Sequence, residues 1–85
     1  MKELLNKLKE AEIMANKADA AWEADPENEE LEKAFDNAYK KQWIAFEELV
    51  NKIVEMTSGA IDKKTAAAMV REKRNELESL IKRIA

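Results

Sequence analysis

Glu47–Glu48 and Glu72–Glu76 are the side chains best placed by type and spacing to do chemistry. Neighbouring carboxylates carry out general acid–base work when burial or mutual repulsion drives their pKa values apart. Both pairs, however, fall beside lysines on helix faces that point to solvent, where two ordinary ionised carboxylates are expected. Asp25, Glu27, Asn28 and Glu29 gather oxygen donors of the kind that hold Mg²⁺ or Ca²⁺, but helix capping explains the same residues. Lys73 falls on an apolar seam. A lysine buried there with a lowered pKa would be a nucleophile, yet no partner for such a pocket is evident, and an apolar stem with an outward ammonium is the expectation. The chain has no histidine, no cysteine and one glycine, Gly59. Imidazole proton transfer, thiolate chemistry, Glu-x-x-His di-iron ligation and glycine-rich phosphate loops are thereby removed. The sequence points away from an enzyme and assigns no catalytic, metal or cofactor-binding residue.

Binding offers more. Lys63, Lys64, Arg71, Arg74 and Lys82 line one side of the last helical segment, a stripe able to follow phosphates. Glu78 interrupts it and no exposed aromatic is interleaved, so nucleic-acid binding is the alternative to a solvated face pairing with acidic residues elsewhere. Those are plentiful: residues 25–57 carry nine acids against four lysines, while residues 58–85 carry seven cations against four acids. The net charge of −3 is too mild to advertise DNA. Membrane binding is not expected: no aromatic accompanies the basic side, the longest apolar run (66–70) is short, and the start turns polar too soon for a signal peptide.

The elements that position these groups are read from two breaks. Asp25–Pro26 suits an N-cap followed by a first helical residue. Gly59 suits a left-handed helix end, with Asp62 capping the next helix and Ile61 stapled to Ala66. The prediction is three helices, about 2–24, 26–57 and 63–84, in one domain spanning 1–85. Leu4, Leu8, Ala11, Ala15, Ala18 and Trp22 form one seam. The middle helix is apolar over about half its circumference, wider than the roughly 100° of a surface helix, so it is placed between the other two in an antiparallel up-down-up bundle. Counting from the turns sets Leu4 near Leu49, Ala11 near Gln42, Ala18 near Phe35 and Phe46 near Lys73. Gln42 is expected to hydrogen-bond across helices.

Apolar residues beyond the seams mark candidate contacts. Ile44 points away from the main arc. Val50, Ile53, Val54 and Met56 lie where the middle helix overruns the first, and form an exposed end patch unless Met1 and the last helix cover it. Tyr39 and Trp43 extend the candidate surface along the side. Contiguous exposed apolar surface marks a partner, either another protein or a second copy in a homodimer. No small-molecule substrate is evident.

The stretch Thr57-Ser58-Gly59-Ala60-Ile61-Asp62-Lys63-Lys64-Thr65-Ala66, with Met69 and Arg71 to Leu77, resembles small helical proteins encoded by bacteriophages and prophages. The Asp25-Pro26-Glu27-Asn28 turn between Trp22 and Trp43 has the same character. The resemblance covers about half the chain and implies a virus-borne accessory protein, a class that includes inhibitors of host defence such as anti-CRISPR proteins. These work by occupying a surface. The family carries no assigned activity, so no functional residue transfers. Clean caps and charged helices also suit a computational design or a purely structural oligomer, although Ile13, Ile44 and Lys73 break the pattern a design would keep. The overall expectation is a cytoplasmic protein-interaction module, in the host cytoplasm if phage-encoded.

Overall fold

The computed structural model describes residues 1–84 and is all-helical, with four helices where three were predicted: α1 (Lys2–Ala24), α2 (Glu29–Met56), α3 (Lys63–Glu72) and α4 (Arg74–Ile84). No helix is long and apolar enough to cross a membrane.

The first turn is three residues longer than the sequence suggested. Asn28, not Asp25, is the N-cap of α2, its side-chain oxygen accepting from the N–H groups of Glu30 and Leu31. Asp25 instead opens a tight turn with Pro26 at its second position, closed by the Asn28 N–H on the Asp25 carbonyl at 3.1 Å. A helix starting at Pro26 would leave a single residue to reverse the chain, whereas antiparallel helices need about two to five. The second turn forms where it was read, but the left-handed position directly after the helix cap Thr57 is taken by Ser58 (φ +52°), with Gly59 following it. Gly59 adopts φ +83°, its N–H bonds the Val54 carbonyl at 3.0 Å, and Asp62 caps α3 by accepting from the Thr65 N–H at 2.7 Å.

The unexpected feature is the break at Lys73. No glycine or proline stands there. Lys73 leaves helical geometry (φ −127°, ψ 55°), capping α3 through its N–H to Met69, while its own carbonyl receives the Leu77 N–H that opens α4. The lysine predicted to sit on the seam is thereby exposed. Ion pairs show where α4 goes: Arg74 meets Glu12 and Glu78 meets Lys9, so α4 descends antiparallel beside α1. Folding back buries Leu77, Leu80 and Ile81, at roughly 1.5–3 kcal/mol per aliphatic side chain. The opposing cost is one or two backbone hydrogen bonds at about 1 kcal/mol each. Burial wins.

The core therefore gathers at one end. Leu5 and Leu8 of α1, Ala45, Leu49, Val50 and Ile53 of α2, Ala66 and Val70 of α3, and the three α4 residues form one buried cluster. α1 and α2 continue past it as a two-helix arm, whose base at Tyr39, Gln42 and Trp43 is still approached by the Arg71 and Arg74 side chains. The molecule measures 46 × 19 × 18 Å, and α2 alone accounts for about 42 Å of that length. The radius of gyration is 14.9 Å, against about 12 Å for a compact chain of this size.

Candidate protein-contact face

The carboxylate pairs do not converge. Glu48 reaches Lys7 on α1 while Glu47 reaches Lys63 on α3, because adjacent helical residues diverge by about 100°. Glu72 and Glu76 are exposed on either side of the Lys73 break. Among the described residues no three acidic side chains are grouped to hold a metal ion. At the first turn Asp25 accepts from the Asn28 side-chain amide at 3.3 Å, which, with the α2 cap, engages these groups in the turn itself.

The predicted basic stripe is divided by the same break. Lys63, Lys64 and Arg71 belong to α3, and Arg74 and Lys82 to α4. Lys63 is paired with Glu47. Arg74 makes a two-pronged contact with Glu12, at 3.1 and 2.8 Å, and its Nε donates to the Val70 carbonyl, the acceptor left open where α3 ends. Arg71 lies over the Phe46 ring, 5.1 Å from its centroid; the sequence count sets Lys73 opposite Phe46, and the break puts Arg71 there instead. Glu78 is held below the ordinary carboxylate range by the hydrogen bond and charge of Lys9.

The predicted end patch is closed. Val50 and Ile53 are fully buried, and Met1, Val54 and Met69 pack onto the core, which leaves Met56 as the exposed member of that group. The break is again the cause, since it lets both short helices and Met1 crowd the lower half of α2. Gln42, expected to bond across helices, is half-buried and makes no such bond among the described residues.

Besides Ile13 and Met14 on α1, both exposed, what stays uncovered is the side of the arm on α2. Tyr39, Trp43 and Ile44 are about half exposed (57%, 49% and 55%), and they rim a shallow hollow of about 500 Å³ with Lys40. A second hollow of about 340 Å³ lies on the other side of the Tyr39–Trp43 ridge, walled by Phe46, Arg71, Arg74 and Glu12. The ridge is braced: Trp43 stacks on Phe46 (5.6 Å between centroids), and Tyr39 leans on Phe35, which stacks on Trp22 (5.4 Å). Phe35 thus meets Trp22, one turn beyond the Ala18 that counting suggested. Side chains lean toward the N-terminus of their own helix, so in antiparallel helices these two rings tilt toward one another. The Trp22 indole N–H donates to the Pro26 carbonyl at 3.3 Å, fixing the far end of the row.

Sequence reasoning named Tyr39, Trp43 and Ile44 but not the part played by Arg71, Arg74 and Glu12. The helix-2 arc was signal enough for the aromatics. The hollow between α2 and α3–α4 depends on a break that no residue type announces. Comparison with known proteins finds no family, no curated protein and no solved structure that this chain matches, and its functional reading rests on the face itself.

Proposed function

We propose that this chain is a non-enzymatic protein-interaction module whose contact surface is the Tyr39–Trp43–Ile44 face of α2. The observation that carries this reading is Tyr39 and Trp43 left about half exposed on consecutive turns of one helix, with exposed Ile44 beside them, the two rings resting on aromatic neighbours that hold them in place. Tyrosine and tryptophan lose little conformational entropy on contact and dominate binding energy where they occur. The biological role that suits such a face is that of a small accessory protein or inhibitor acting by surface occupation, as the phage-type resemblance implies. Nucleic-acid binding through Lys63, Lys64, Arg71, Arg74 and Lys82 is the weaker reading, since two of the five are engaged by Glu47 and Glu12.

A photo-crosslinking amino acid at position 39, compared with position 79 on α4, tests this in the living cell. Protein adducts of discrete mass at 39 and none at 79 are expected. Nucleic-acid adducts, or equal labelling at both positions, would overturn the reading.

A further inference from the structure

We infer that the occupant of this face is a second copy of the chain, docked antiparallel about a two-fold axis through Tyr39. The inference rests on the protein-contact reading above and adds the partner and its geometry.

The first support is symmetry. Phe35 and Trp43 stand four residues to either side of Tyr39, and Glu32 and Phe46 seven residues to either side. On an α-helix all four then lie within about 40° of the Tyr39 direction, and the outer two are each about 10 Å from it along the axis. A two-fold contact must present one self-complementary patch. Here Phe35 of one copy would face the partner's Trp43, with the two Tyr39 rings at the centre. Both outer rings are already stacked on a neighbour of their own chain, Trp22 and Phe46 respectively.

The second support is charge. Residues 19–36, the tip of the arm, hold eight carboxylates and one lysine. Arg71 lies at the opposite end of the stripe, over Phe46, and has no ion-pair partner among the described residues; exposed Lys40 flanks the same ridge. Antiparallel docking brings the acidic tip of each copy onto Arg71 of the other, with the partner's Glu32 level with Phe46 and Arg71. Parallel docking would instead set tip against tip. Such complementarity fixes register and orientation more than it adds affinity.

The third support is area. Tyr39 and Trp43 together leave roughly 200 Å² of mostly apolar surface, taking about half of each side chain's burial capacity; Ile44, about 140° round the helix from Tyr39, lies outside this contact. A standard interface draws about 450 Å² of apolar area from each partner, and Phe35, Trp22 and the stems of Lys40 and Glu32 supply the balance. The two arms would complete a four-helix layer where each monomer has only two helices.

Light scattering across a hundredfold concentration range, on the wild type and on Y39E, E32K, R71E and the double variant E32K/R71E, tests the inference. Circular dichroism melts verify folding, which none of the three substituted side chains governs, since all lie outside the core. A dimer abolished by Y39E is expected. Each single charge reversal should weaken it roughly tenfold, because two symmetric contacts change at once, and the double reversal should recover most of the loss. A strict monomer, a dimer indifferent to Y39E, or a double variant no better than the singles would overturn it. If the wild type is monomeric while position 39 still crosslinks to a different protein, the second copy is wrong and the contact face stands. If position 39 crosslinks to no protein, both fall.

Discussion

Asp62 illustrates how much one side chain of this protein does without being buried. It ends the Gly59 turn and starts α3, and hydrogen bonds from Thr65 hold its carboxyl below the usual 3.8. A folded-state pKa below the unfolded one means that the ionised form stabilises the fold above pH 3.8, and that this contribution is lost as pH falls through the folded value. Asp62→Ala is therefore expected to lower the melting temperature at pH 7. The gap from wild type should narrow on titration below pH 4, in parallel melts at the two pH values. A gap independent of pH would mean that the cap acts through shape alone. Asp62 and Gly59 were legible because each is a local device, decided within a few residues. Asp25 was not, since two good caps lay three residues apart and only the geometry of chain reversal selects between them.

At the level of elements, the joint between α3 and α4 governs the fold. Arg74 serves it twice, closing the open Val70 carbonyl with Nε and gripping Glu12 with its two terminal guanidinium nitrogens. Both side chains of that pair are about two-thirds covered (29% and 32% exposed). Arg74→Ala is expected to cost about 1–3 kcal/mol by urea denaturation, because it strands a partly buried carboxylate and a helix-end carbonyl. Arg74→Lys should recover little, since an ammonium cannot reproduce the fork. A variant with the wild-type midpoint would show that the apolar burial of Leu77, Leu80 and Ile81 holds the joint unaided. Ala66, Val70, Leu77 and Leu80 face the core at the spacing the sequence showed, while Lys73 between them does not. The division of this segment into two helices was hidden, because the penalty for breaking at Lys73 is repaid by α1, far away in sequence.

Across the whole molecule, stability is distributed unevenly: the core cluster occupies one end and the arm is held by a single helix–helix seam and the Trp22–Phe35 stack. Amide hydrogen exchange in dilute protein should show residues 30–40 and 16–22 opening by local fraying. Leu49, Ile53, Val70 and Leu77 should exchange only through global unfolding. Raising the concentration should slow the arm and leave the core unchanged, as antiparallel docking requires. Uniform protection from tip to core would argue that the arm is no separate cooperative unit.

Helix content, the places of the two chain reversals and the wide apolar arc of α2 are set by the sequence alone, since propensity, capping and periodicity act over one or two turns of chain. The aromatics of the candidate face could be named for that reason. Whether a given apolar residue is covered depends on where distant helices come to rest. Val50 and Ile53 vanished into the core while Tyr39 and Trp43 stayed open, with α4 turned back along α1 instead of continuing along α2. That choice balances a few kcal/mol of burial against a broken helix, and only the tertiary structure strikes the balance.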